Sequence, residues 1–208
     1  PLDQNLLLLA ASGTDLPACR TATPLYDTLK KREFDFWITE KDRGLAHPGA
    51  ISKAVERAYE KGIPVILYDR ISNTDKYTAF IGCDNYHIGK SMGTFIAQKL
   101  QGKGRIVEIC GLDGSSPAME RHLGFMDAIK PYPGIQVIAS EEGNWKEEGG
   151  VQAMKRILKK TQDFDYVFAH SDRLAWGAYE AAKQMGLQHR YKFTGVDGMA
   201  TKGGGLEL

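Results

Sequence analysis

Cysteine is scarce in this 208-residue sequence: Cys19, Cys83 and Cys110 are the whole supply, and no two form a CxxC pair. An odd, widely spaced set excludes a disulfide framework and a structural zinc site. Cys83 and Cys110 sit in strand-like surroundings, where a free cysteine behaves as a small buried hydrophobe. Charge of one sign is also lacking, since 27 Lys and Arg face 26 Asp and Glu for a net charge of +1. That balance removes the electrostatic basis for direct nucleic acid contact, which needs clustered Lys and Arg. No apolar run approaches the ~18 residues of a membrane span, and the longest, residues 6–11, suits a strand. The chain opens at Pro1 with neither an initiator Met nor a visible leader. It is therefore expected to be processed, engineered or cut from something longer.

Enzyme signatures are missing too. GxGxxG does not occur. Gly89, Lys90 and Ser91 resemble the end of a phosphate-binding loop, but the glycine that GxxxxGK[ST] requires is Asp84 here. Gly114, Ser115, Ser116 and Pro117 do not make a G-x-S-x-G elbow. The five histidines are scattered, with no pair at metal-ligand spacing. No catalytic group, cofactor or metal is therefore expected. His122, beside Arg121, reads as a packing or supporting residue.

What is present is alternation. Short runs of Ile, Val, Phe and Leu at 5–11, 34–39, 63–68, 79–82, 105–110, 135–139, 166–169 and 192–196 are strand candidates. Most are continuously apolar, the pattern of strands covered on both faces and hence of a parallel sheet. Segments of helical period separate most of them. Pro48 opens one, Ile51, Ala54, Val55, Ala58 and Tyr59 line its inner face, and Gly62 closes it. Others run from Asp84 to Gly102, from Ser116 to Pro131, through Val151, Met154 and Leu158, and from Ser171 or Asp172 to Gly186. Repeated βα units read as a doubly wound α/β fold. The polar stretch 70–77 breaks the alternation, so two lobes are expected, residues 1–80 and 81–208.

In open α/β sheets the ligand crevice lies beyond the carboxyl ends of the strands. The residues that follow the strand candidates are Asp69 and Arg70, Asp84 and Asn85, 111–116, His170 to Asp172, and Asp197. At strand–helix junctions Asp and Ser often serve only as helix caps, and Asp84 and Asp172 fit that role. No helix starts directly after Asp69, Arg70 or Asp197, which favours a ligand role for these three. Trp145, in a loop ahead of a helix, reads either as a lid over the core or as a stacking face for a ligand ring.

Several strings, in order and over nearly the whole chain, resemble one family. They are GIPVI at 62–66 with Asp69 and Arg70, IGCDNY at 81–86 with Gly89, GLDGSSPAMERHLGF at 111–125, VFAHSD at 167–172 and GVDG at 195–198. Together they resemble the type I periplasmic sugar-binding proteins, the superfamily of ribose-binding proteins and the lactose-repressor core. The wording at 111–125 looks closest to periplasmic sensor domains of hybrid two-component systems. The resemblance implies two doubly wound parallel-sheet lobes that recognise a monosaccharide or short oligosaccharide between them and signal to a kinase. It implies a homodimer, a periplasmic location and a membrane anchor in the full-length protein. A transporter's solute-binding protein and the effector core of a repressor are the alternatives.

Carried over by position, Asp69 and Arg70 match the pair that holds sugar hydroxyls from the first lobe, and Arg121 matches an arginine from the second. Trp145 stands where the family places a stacking aromatic, and Asp197 matches a hydroxyl acceptor. Ser171 departs, because the family usually has Asn there, with a longer, two-pronged amide. Against the family the chain reads as the middle of a larger domain, truncated at both ends. The first lobe then keeps about three strands and an open sheet edge, and the piece alone is not expected to bind sugar.

Overall fold

The computed structural model describes residues 7–10 and 48–199. Two compact units divide the chain, Pro1–Cys83 and Asp84–Leu208. The division falls a few residues beyond the one expected from the polar stretch, because Asp84 starts the next helix by capping it.

The first unit contains β1 (Leu7–Ala10), α1 (Pro48–Glu60), β2 (Val65–Tyr68) and β3 (Ala79–Ile81). The strands form a parallel sheet in the order β1-β2-β3, with Leu8 opposite Ile66 and Ile66 opposite Ala79. α1 lays Ile51, Val55 and Ala58 against Val65 and Leu67 of β2, the buried face that its apolar spacing dictates. β2 begins at Val65 rather than 63, since Pro64 has no N–H to give a ladder. The strand expected at 34–39 lies outside the described residues, as does the glycine-rich tail.

The second unit runs α2 (Asn85–Lys99), β4 (Lys103–Cys110), α3 (Ser116–Ile129), β5 (Gly134–Glu142), α4 (Glu147–Lys160), β6 (Tyr166–Ala169), α5 (Asp172–Lys183) and β7 (Lys192–Thr194). Its four strands are parallel in the order β5-β4-β6-β7. The chain therefore winds one way from β4 to β5 and the other way to β6, and the switch point lies between β4 and β6. Side chains alternate across the sheet. Ile106, Tyr166 and Phe168 meet Ile96, Phe125 and Ile129 of α2 and α3. Val107, Ile109, Val167 and Ala169 meet Met154, Ile157, Leu174 and Ala178 of α4 and α5. Phe125 and Phe168 stack at 4.4 Å between ring centres. Both faces are thus covered, which is why these strands read as apolar without alternation.

The helix ends follow local chemistry. Asp84 Oδ1 accepts from the His87 N–H at 2.8 Å and caps α2. The cap of α5 is Ser171, whose Oγ accepts from the Leu174 N–H at 3.3 Å. This corrects the assignment to Asp172, whose carboxylate instead accepts from the Met199 N–H at 2.7 Å. Close helix pairs are set by glycine. A Cβ on Gly124 of α3 would stand 2.0 Å from the Tyr86 carbonyl oxygen of α2, and one on Gly177 of α5 would stand 2.1 Å from the Glu147 carbonyl oxygen of α4. Backbone cannot retreat without moving a whole helix. Gly177→Ala is therefore expected to destabilise the chain by roughly 2–3 kcal/mol, the upper part of the overpacking range. Chemical denaturation checks this, and a loss below about 0.5 kcal/mol would mean that the helices separate easily.

Candidate functional site

The carboxyl ends of β4 and β6, at the switch point, lead into two segments that carry most of the polar groups. β4 ends in Gly111 and the loop to α3. β6 ends in His170 and Ser171. From α3, Arg121 reaches back across this end of the sheet and is buried, 9% exposed. Its Nε donates to Asn85 Oδ1 at 2.9 Å, its Nη1 donates to the His170 carbonyl, and its Nη2 lies 3.7 Å from Asp197 Oδ1. One guanidinium thus joins the start of α2, the end of β6 and the segment after β7, a task its rigid five-donor fork suits.

Trp145 stands beside it. The Arg121 Cζ lies 5.5 Å from the centre of the indole ring, a cation–π contact. The ring packs on the core beneath α5 and lies close over Gly111, where a Cβ would come within 2.0–2.2 Å of three ring atoms. The indole Nε1 is buried and has no hydrogen-bond partner among the described residues. A buried donor of this kind calls for an acceptor. Trp145 therefore packs on the core, one of the two roles its sequence left open, and keeps a buried N–H for which no described residue supplies an acceptor.

Backbone strain marks the same residues. Among the described residues, five other than glycine have positive φ: Asp69 (68°), Gln101 (52°), Asn144 (53°), Trp145 (59°) and Asp197 (105°). Three of these five are site residues expected from the sequence. Each such conformation costs on the order of 1–3 kcal/mol, and such residues cluster at ligand sites. Asp69, half-buried, follows β2, and its N–H donates to the Ile81 carbonyl at 2.8 Å. Arg70 beside it is buried, 5% exposed. Both belong to the first unit. Arg121, Trp145, Ser171 and Asp197 all belong to the second, at one end of one sheet. Ser171 is also buried, and its hydroxyl is shared with the cap of α5.

Sequence reasoning missed the group beneath the site. Glu108, in the middle of β4, is fully buried and accepts from His170 Nε2 at 3.0 Å, His122 Nδ1 at 2.9 Å and Ser140 Oγ at 3.1 Å. Burial pushes its carboxyl up, but the hydrogen bonds from His122 and His170 more than offset this and hold it at about 2. His122 is raised from its ordinary value by its hydrogen bond to Glu108. His170 is lowered, chiefly by burial. Its Nδ1 receives the Gly111 N–H in a long 3.3 Å contact, so the ring is neutral and carries its proton on Nε2. The only legible signal was a lone carboxylate inside an apolar strand.

Glu108, Cys110 and His170 bring potential metal-ligand atoms within 4.8 Å of one another. Their chemistry fits a metal poorly. Ligation through His170 Nε2 would put the proton on Nδ1, against the Gly111 N–H. The Cys110 thiol is pushed up to about 12 by burial and by the Glu108 charge, far from the thiolate a metal needs.

The arrangement suits a neutral, polyhydroxylated ligand. A guanidinium donates, a carboxylate accepts, and a flat aromatic lies beside them. The family model described as a periplasmic binding protein domain matches residues 44–203. The ribose import binding protein RbsB of Bacillus subtilis (strain 168) is 34% identical over 137 residues, covering 66% of this chain and 44% of that protein. Its namesake in Escherichia coli (strain K12) is 33% identical over 137 residues, covering 66% and 46%. The chain thus spans under half the length of these curated relatives. Among solved structures, the fructose binding periplasmic domain of hybrid two component system BT1754 is 43% identical with a TM-score of 0.77, over 92% of this chain and 62% of that one. The Caulobacter myo-inositol binding protein shares the fold, with a TM-score of 0.79 at 18% identity over 96% of this chain and 77% of that one.

Proposed function

Because this chain belongs to the periplasmic binding protein domain family, we propose that it is the sugar-recognising part of a periplasmic sensor that signals to a kinase. The observation that carries the sugar reading is the guanidinium of Arg121. It is held by Asn85, the His170 carbonyl and Asp197, beside a tryptophan whose buried N–H has no partner among the described residues. Arg121 and the Trp145 indole donate to sugar oxygens, Asp197 and Ser171 accept from hydroxyls, and the Trp145 ring offers an apolar wall for C–H groups. Asp69 and Arg70 have the same hydroxyl-binding duty on the first unit. The ligand is a monosaccharide or short oligosaccharide.

The sensor role rests on similarity to the fructose binding domain of a hybrid two-component system, at 43% identity. With it go a homodimer, a periplasmic location and a membrane anchor in the full-length protein. A second reading, delivery of sugar to an importer, is favoured by the similarity to ribose import binding proteins.

The test is a thermal-shift titration of the protein in its natural full-length form with a panel of monosaccharides and short oligosaccharides that includes D-ribose and D-fructose. Binding to the native state raises Tm by mass action, and a shift with at least one member of the panel is expected. No shift with any of them overturns the sugar reading. In the same assay Trp145→Ala is expected to weaken binding by about 1 kcal/mol through lost ring contact. Loss of folding in that variant would instead make the ring a core residue first.

A further inference from the structure

Resting on the sugar-site reading, we propose that Glu108 and His170 are a pair of positioning residues that preset Arg121 and Trp145 for the ligand. His170 is fully buried and tied at four points. Its N–H donates to the Ile109 carbonyl at 3.0 Å, extending the pairing of β6 with β4. Its Nε2–H donates to Glu108 Oε1 at 3.0 Å. Its Nδ1 accepts from the Gly111 N–H. Its carbonyl accepts from Arg121. The imidazole is therefore a rigid strut across the switch point, a donor on one side and an acceptor on the other.

Two site groups hang on that strut. The position of Arg121 depends on where the His170 carbonyl sits. The Trp145 ring lies on Gly111, whose N–H the same imidazole holds. Glu108 fixes which nitrogen carries the proton, because an ionised carboxylate can only accept. The charged and titratable groups facing the ring are Glu108 and Cys110 from β4 and Arg121 and His122 from α3. A ligand arriving at this end of the sheet meets an arginine already fixed in place, so less ordering is charged against its binding.

The proposal is tested on the tautomer and on affinity. Two-bond 15N–1H spectra of the wild-type protein should show His170 as the neutral Nε2–H form at pH 7. An Nδ1–H pattern or a protonated ring at that pH would overturn the strut, and this measurement needs no variant to fold. His170→Gln keeps a donor group and an acceptor on the side chain and is expected to bind the sugar of the same panel that shifts wild type most, D-ribose and D-fructose included, within about threefold of wild type. His170→Phe keeps an aromatic ring, a somewhat larger one, but neither hydrogen bond, and is expected to bind roughly tenfold or more weakly. Equal affinity in wild type and His170→Phe overturns the positioning role and leaves the sugar reading intact. A wild type that takes none of the sugars in the panel overturns the sugar reading, and with it any role of His170 in that site, whatever the tautomer spectrum shows.

Discussion

Glu108→Ala is expected to lower the unfolding free energy by about 3–5 kcal/mol, the range for removing one partner from a buried ionic network. For a chain of this length that is a fall in Tm of roughly 6–20 °C, at ~2–4 °C per kcal/mol. The physical cause is what the truncation leaves behind. His170 Nε2–H, the Ser140 hydroxyl and His122 Nδ1 all point at a carboxylate with no exposure to solvent. Remove it, and the fully buried His170 donor faces a cavity, while Ser140 and His122, nearer the surface, lose their acceptor. Glu108→Gln fills the cavity but replaces one acceptor oxygen with two donors among donors, so its loss should fall between alanine and wild type. Thermal unfolding followed by circular dichroism separates the three. An alanine variant within about 1 kcal/mol of wild type would mean that the network stores no stability.

The same network sets the pH dependence. Glu108 is held at about 2 in the fold against an ordinary value of 4.5. A depressed carboxyl contributes stability above 4.5 that is lost as pH falls from 4.5 towards 2. His170 is a base whose value is lowered from 6.5. Below 6.5 the unfolded chain takes up a proton that the native ring refuses, so stability falls with acid there as well. His122 has the opposite sign, because its value is raised above 6.5. Its contribution is complete below 6.5 and fades as pH rises through the raised value. On acidification stability should therefore first rise as His122 takes up its proton, then fall in two stages, below 6.5 through His170 and from 4.5 towards 2 through Glu108, and Glu108→Gln should remove the lower one.

Much of the fold was legible because its strands are covered on both faces and announce themselves as apolar runs. β6 falls on the run at 166–169 that the sequence marks. β5 extends beyond the expected 135–139 to Glu142. It is an edge strand, so Ser140, Glu141 and Glu142 can pair with β4 while their side chains reach partners or solvent. Composition could not show that. The switch of the α5 cap from Asp172 to Ser171 is a one-residue choice that local propensity does not resolve, since both residues cap well. Glu108 was invisible as a functional residue for a different reason. Its partners lie 14, 32 and 62 residues away along the chain, on α3, on β5 and just after β6. No window of sequence holds such a set. Asp197 was legible from its place after a strand with no helix following, Arg121 entered through resemblance, and only the folded chain supplies Asn85 and the His170 carbonyl as the groups that aim the guanidinium.

Arg121→Ala should weaken sugar binding by about 1.5–3 kcal/mol, the contribution of hydrogen bonds to a charged group, or roughly 10–150-fold in Kd. Arg121→Lys should restore little of it. A lysine ammonium is a single point of charge and cannot serve Asn85, the His170 carbonyl and Asp197 while also facing a ligand. The loss has two sources. The direct one is the donor to a sugar oxygen. The indirect one is the release of Asp197, whose positive φ holds it in a costly backbone shape beside the guanidinium. Isothermal titration of Arg121→Ala, Asp197→Ala and the double variant separates them. If the residues act as one unit, the double variant loses less than the sum of the singles. Full additivity would make them independent ligand contacts, and wild-type affinity in Arg121→Ala would make the guanidinium a structural tie with no part in binding.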